Sequence, residues 1–243
     1  MIIVKTILLK ISGELLAGCS PQTAVNAGEQ GALMLASLAE QMHALQKTHR
    51  FALVVGGGNF FRARQARASF KLRQPVADAV GMLATVMNGL MLQEFFMHCG
   101  ITCSLLSAVD VTPFTRPINQ SSIDELFAAG HSIIFCGGLG NPFFTTDTTA
   151  VVRALQIGAD EVWKATNVDY IYEQDPRVAP SSRPLVRLST QEYLSRQLQV
   201  MDHTAVLLAQ QHALTIRVFN VHEPQALVRV SHDEHFGSTL YCE

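Results

Sequence analysis

Apolar residues recur along this chain with two different periods. Runs rich in β-branched and aliphatic side chains at 7–11, 51–55, 101–106, 133–136, 161–164 and 216–220 predict strands. Between them, 29–47, 76–98, 123–129, 148–157 and 203–212 place apolar residues at helical spacing and predict helices. Alternation of this kind predicts a mostly parallel sheet covered by helices on both faces. No repeat, low-complexity tract or linker divides the chain, which reads as a single domain over residues 1–243. The exception to the periodicity is 170–188, where Asp175-Pro176, Pro180, Ser181-Ser182 and Pro184 punctuate a loop. A loop this long in a compact domain is functional or mobile, and this one is a candidate cover for a ligand.

Composition narrows the partners. With 16% charged residues and a formal net charge of −2, the chain lacks the basic footprint of a nucleic-acid binder and the self-repulsion of a disordered one. A small molecule is the default partner. The N-terminal apolar run is cut by Lys5, Lys10 and Glu14 into pieces too short for a signal peptide, and reads as a buried strand. The longest apolar region, 80–106, carries Thr85, Asn88, Gln93, Glu94 and His98, so no membrane span is expected. Five cysteines, an odd number without a C-x-x-C pair, read as reduced cytosolic thiols, and nine scattered histidines show no metal-ligand spacing.

In an open parallel sheet, ligands bind at the carboxyl ends of the strands. Four predicted strand ends carry unusual residues. The first is Lys10-Ile11-Ser12-Gly13-Glu14, where a strand-end lysine is costly unless it meets an anion or snorkels to solvent. The second is Gly56-Gly57-Gly58-Asn59-Phe60-Phe61-Arg62, whose glycines suit either a tight turn or an anion-binding nest, with Arg62 as a charge-assisted fork. The third runs from Ile133 into Gly137, Gly138, Leu139, Gly140, Asn141, Pro142, Phe143, Phe144, Thr145, Thr146 and Asp147. There Thr146 or Asp147 is the expected helix N-cap, and a nucleotide held at that N-terminus would account for the residues before it. The fourth is Lys164-Ala165-Thr166-Asn167-Val168-Asp169, followed by Tyr172 and Asp175. Its lysine gives the sheet a second cation for a transferring phosphoryl group.

In this order the four stretches resemble the bacterial UMP kinases of the amino acid kinase family. The specific parts are GGGNFFR, VADAVGMLATVMNGL, GNPFFTTD, KATNVD, and VMDHTA followed by IRVFN, spread over nearly the whole chain. The resemblance implies a three-layer αβα sandwich that transfers the γ-phosphoryl of ATP to UMP in pyrimidine nucleotide biosynthesis, with Mg²⁺ held mainly through phosphates. It further implies a cytoplasmic homohexamer, an arrangement compatible with the apolar surplus of 76–98.

Carried across residue by residue, the resemblance places Lys10, Ser12, Gly13, Gly58, Arg62, Thr166, Tyr172 and Asp175 at the ATP. It places Gly57, Asp78 and the loop from Leu139 through Gly140, Asn141, Pro142, Phe143, Phe144 and Thr145 to Thr146 at the UMP. Lys10, Arg62 and Lys164 are the implied catalytic residues. Asp78, a carboxylate in an apolar helix, suits ribose hydroxyls or a solvated position. Phe143 and Phe144 are expected to anchor the acceptor loop in the core, and its glycines to let the backbone approach the base.

Three departures stand out. Ala63 replaces the glycine usual after the arginine, Leu139 replaces the threonine usual before GNPFFTTD, and 17–26 lacks the glycine-rich segment associated with GTP activation. Two other readings stay open: a nucleotide- or oxyanion-binding homologue without turnover, and a kinase of another small acceptor.

Overall fold

The computed structural model describes residues 4–19, 25–176, 178–179 and 181–242. Along the chain, β1 (Lys5–Ile11) leads into a 3₁₀ helix (Gly13–Cys19), α1 (Val25–Leu45), β2 (His49–Val55), α2 (Ala63–Phe70) and α3 (Gln74–His98). Then come β3 (Cys103–Ser107), β4 (Arg116–Pro117), α4 (Gln120–Ala128), β5 (Ser132–Cys136), α5 (Thr146–Gln156) and β6 (Glu161–Thr166). After the short strands β7 (Ile171–Tyr172), β8 (Pro184–Leu185) and β9 (Arg187–Ser189), the chain closes with α6 (Thr190–Ser195), α7 (His203–Gln211), β10 (Thr215–Asn220), α8 (Ala226–His232) and β11 (Ser238–Tyr241).

Nine strands form one sheet in the order β4-β3-β5-β2-β1-β6-β10-β11-β9. Every pairing is parallel except β10 with β11. Alternate side chains of the strands feed two cores. Ile7, Leu9, Phe51, Leu53 and Trp163 pack with α1, α3 and α8 on one face, and Leu8, Val54, Val162 and Val218 pack with α4, α5, α6 and α7 on the other. The result is the three-layer αβα sandwich.

Two features of this frame position the site. β1 lies between β2 and β6, so the chain leaves it in both directions, and the resulting switch point opens a crevice at the strands' carboxyl ends. The β1–β6 register also sets Lys10 directly beside Lys164. Because side chains alternate along a strand, both ammonium groups emerge on the α5 face.

The predicted strands and helices are all present. The stretch 170–188 differs from the expected structureless loop, since β7 and β8 pair within it as a small antiparallel hairpin. Pro180 lies outside the described residues, as do 20–24, which make up much of the segment compared with the glycine-rich activator sequence. With 25 residues, α3 is long and apolar enough to cross a membrane by length and composition alone. Here it is a core helix, with Val86, Leu92 and Phe96 packed against the sheet.

Candidate active site

The site is built around a charge problem. Two lysines side by side on adjacent strands repel each other, and Lys164 is only 7% exposed. The solution comes from the first turn of α5. Lys10 Nζ lies 2.9 Å from Asp147 Oδ1 and Lys164 Nζ lies 2.6 Å from Oδ2, so one carboxylate bridges both cations. Lys164 also donates to the Val200 carbonyl. Burial alone would raise the Asp147 carboxyl, but its attraction to Lys10 and Lys164 prevails and holds it below the usual carboxylate range. Burial pushes the Lys164 ammonium down to about 8, with Asp147 opposing the shift and Lys10 adding to it.

Thr145, rather than Thr146 or Asp147, is the α5 N-cap, accepting the N–H groups of Asp147 (3.1 Å) and Thr148 (3.3 Å). Relieved of capping, Asp147 can face the lysines. Asp202, the α7 N-cap, accepts hydrogen bonds from Thr145 and Thr148 and so ties the start of α5 to α7.

Two cavities flank this helix start. The larger, about 590 Å³, is lined by Lys10, Ser12, Glu14, Lys164, Thr166, Tyr170, Tyr172, Asp175 and the 196–200 turn. The smaller, about 150 Å³, is lined by Gly57, Gly58, Asp78, Gly81, Gly138, Asn141, Phe144, Thr145 and Thr146, among others. Gly58, expected on the donor side, borders the smaller cavity with Gly57. Arg62 lines neither; it pairs with Glu14 at 2.7 Å on the exposed rim. Leu139 points into a third cavity of about 430 Å³ between the β3–β4 connection and α5, shared with Ser107 and Arg153.

The glycines serve close packing more than ligand approach. None of Gly56, Gly57 and Gly58 has a positive φ, so the turn lacks the alternating conformation of an anion nest. A Cβ on Gly13 would sit 2.6 Å from the Gly56 oxygen, so the turns after β1 and β2 interlock. Gly140 has φ +76, and a Cβ there would meet the Ala108 oxygen at 2.7 Å. Gly140 is therefore spent on packing against the connection after β3.

Phe143 and Phe144 do not anchor the loop in the core, being 69% and 49% exposed. Phe143 takes a positive φ of 73. Asp78 secures that turn instead, accepting from the Phe143 N–H at 2.9 Å and from Gln74 Nε2 at 2.7 Å. Pro142 lies between Asn141 and this turn.

A pair of cations and a helix N-terminus converging between two cavities is suited to holding phosphoryl oxygens. The model of the amino acid kinase family matches residues 5–220. The chain belongs to the amino acid kinase family.

Within that family its shape is close to solved nucleotide kinases. The crystal structure of UMP kinase from Ureaplasma parvum superposes with a TM-score of 0.86 at 28% identity, over 98% of this chain and 99% of that one. UMP kinase from Bacillus anthracis gives 0.87 at 27% identity, over 98% and 96%. Uridylate kinase from Archaeoglobus fulgidus, at 22% identity and a TM-score of 0.70 over 98% and 100%, shares the fold.

Sequence reasoning passed over three contributors to this amino acid kinase's site. Asp147 looked like a cap, Asp202 stood only within VMDHTA with no role of its own, and the Val200 carbonyl carries no side-chain signal. A usable sign was present for Asp147: a second strand-end lysine requires a nearby anion when no ligand is bound.

Proposed function

We propose that this protein transfers the γ-phosphoryl of ATP to UMP, giving UDP, within pyrimidine nucleotide supply. The observation that carries the reading is the Lys10–Asp147–Lys164 bridge at the helix start between a larger and a smaller cavity. Near-complete superposition on two UMP kinases supports the choice of acceptor.

ATP occupies the larger cavity, with adenine against Tyr172 and its neighbours, ribose and phosphates along Thr166, Asp175 and Ser12, and the γ-phosphoryl at Lys10 and Lys164. Arg62 exchanges Glu14 for donor phosphate. UMP enters the smaller cavity, where Asp78, already holding the acceptor loop, presents its carboxylate to the ribose, and Asn141 reads the polar edge of the base. Charge that develops during transfer is stabilised by the two lysines and the α5 N-terminus, so alignment of the nucleotides does most of the work.

Mg²⁺ supplies charge neutralisation at the donor phosphates. Among the described residues no group of three His, Cys, Asp or Glu converges. A Mg²⁺ held mainly by phosphates needs only one or two protein carboxylates, and Glu14 and Asp175 on the larger cavity's wall fit that demand.

The domain works as a single unit, acceptor side from its N-terminal part and ATP side from its C-terminal part. A cytoplasmic setting is supported by the free Cys99, Cys103, Cys136 and Cys242. Self-association, as a homohexamer by family resemblance, is supported by the outer face of α3, where Val76, Val80, Leu83 and Met87 form an exposed apolar stripe. Light scattering should give a hexamer mass, and a stable monomer would refute it.

The deciding experiment is ADP release measured with UMP, CMP, dCMP and acetylglutamate. Turnover preferring UMP is expected, and Asn141→Ala should lower the UMP-to-CMP ratio of kcat/KM. Turnover with acetylglutamate alone, or with no acceptor, overturns the reading.

A further inference from the structure

We infer that Asn88, deep in α3, is a positioning residue for phosphoryl transfer, acting with Asn59 as an amide clamp on the glycine turn after β2. The inference rests on the reading of this site as a phosphoryl-transfer centre.

Asn88 is fully buried in a helix whose other inward positions, Thr85 apart, are apolar or glycine. A buried primary amide persists only where its donors and acceptor find partners. Those partners are specific. Asn88 Nδ2 donates to the Gly56 carbonyl at 2.6 Å and to Asn59 Oδ1 at 2.7 Å, and Asn88 Oδ1 accepts from Asn59 Nδ2 at 3.0 Å. Asn59 Nδ2 also reaches the Leu16 carbonyl, 3.3 Å away in the 3₁₀ helix after β1. The reciprocal amide pair thus joins α3, the β2 turn and the β1 turn.

The opposite side of the β2 turn is equally constrained. A Cβ on Gly13 would lie 2.8 Å from the Gly58 nitrogen and 2.9 Å from Asn59 Oδ1, while one on Gly57 would lie 2.9 Å from Ala84 Cβ. Clamped between Gly13 and α3, the turn has little freedom, and its last glycine faces outward: a Cβ on Gly58 would meet nothing within 4 Å, and Gly58 lines the smaller cavity. Asn88 lines neither the larger nor the smaller cavity. Its effect on the reaction is therefore indirect, through the placement of Gly57 and Gly58. Thr85, one turn earlier, does the same for the turn after β5, accepting the Gly137 N–H at 2.8 Å.

A carboxylate in place of either amide sets acceptor against acceptor; at Asn88 it also strands the Gly56 carbonyl, and at Asn59 the Leu16 carbonyl. The test uses the full-length protein and the variants Asn88→Asp, Asn88→Ala, Asn59→Ala and the double alanine variant. Urea midpoint, kcat, and KM for ATP and UMP are measured for each.

Misplacement of reacting groups by about 1 Å costs about 10²-fold in rate, so kcat should fall about 10²-fold in Asn88→Asp with KM for ATP within about twofold. The double variant should lose no more than Asn88→Ala, because the two amides act as one unit. Asn59 sits on a turn and keeps the test alive if the α3 variants do not fold; its alanine variant should lose about tenfold in kcat, roughly half the clamp's effect on a logarithmic scale. A lowered urea midpoint with kcat unchanged in folded Asn59→Ala or Asn88→Ala protein overturns the inference. Failure of the wild-type protein to phosphorylate UMP would instead sink the functional reading on which it rests.

Discussion

Asp147→Asn tests the charge logic of the site most directly. The substitution keeps size and shape but removes the carboxylate that, among the described residues, bridges Lys10 and Lys164. Two ammonium groups are then left adjacent, with the Lys10 and Lys164 side chains only 12% and 9% exposed. Removing one partner from a buried ion pair costs about 3–5 kcal/mol, because the remaining charge is uncompensated. With a urea m-value of roughly 3 kcal/mol per molar, that is a fall in midpoint of about 1 M or more. The loss should be partly repaired by nucleotide, since donor phosphates return the missing negative charge to the lysines. MgATP should therefore raise the midpoint of the variant by more than it raises that of the wild type, at matched protein and free nucleotide concentrations. Urea unfolding followed by tryptophan fluorescence reports this well, because Trp163 lies on the same strand as Lys164, in the opposite core. A variant whose midpoint stays within about 0.3 M of wild type, roughly 1 kcal/mol on the same m-value, would refute the claim that Asp147 holds the two cations together.

Two further outcomes follow from single residues. Gly81 sits inside α3, where a Cβ would meet nothing within 4 Å, and it borders the smaller cavity. Gly81→Ala should thus stabilise the protein by about 0.5–1 kcal/mol yet raise KM for UMP; a thermal shift without a change in KM would show that the open space is not the acceptor's. Lys164 keeps its proton only to about pH 8 when folded, against an ordinary 10.5. Between those values the unfolded chain binds more protons, so stability contributed at this position rises with pH, while below pH 8 the full cost of burying the charge remains. Urea midpoints of wild type and Lys164→Met should converge or cross in favour of wild type as pH rises from 8 to 10, by up to about 3 kcal/mol; a constant difference across that range would contradict the burial argument.

The long elements were legible because burial on one or both faces imposes a period, and every strand predicted from such a run is found. What escaped is short or polar. α2, ARQARASF, has too few apolar residues to show a helical stripe. β4, β7 and β8 are two residues each and owe their existence to a neighbouring strand. The strand-end lysines were visible singly, but their adjacency is a matter of register between β1 and β6, set by packing across about 150 residues of intervening chain. Phe143 and Phe144 misled because aromatic residues beside glycines and a proline resemble a buried turn, whereas backbone hydrogen bonding to Asp78 holds this one and leaves the rings outside. The glycine triplet misled in a different way: its small size serves the interlock with Gly13 and α3, and needs no unusual backbone angle.

The two faces of α3 bear on how random variants of this protein are to be interpreted. Leu83 and Met87 are half-exposed and lie outside both the larger and the smaller cavity, so ranking positions by distance from those cavities would class them as tolerant. Yet they flank Thr85 and Asn88 on the same rigid rod, whose inner side chains hold the turns after β5 and β2. A bulky or charged change that tilts the rod moves both turns at once. Mutational screens should accordingly recover loss-of-activity alleles along the outside of this helix, at positions that a map coloured by distance alone would score as tolerant.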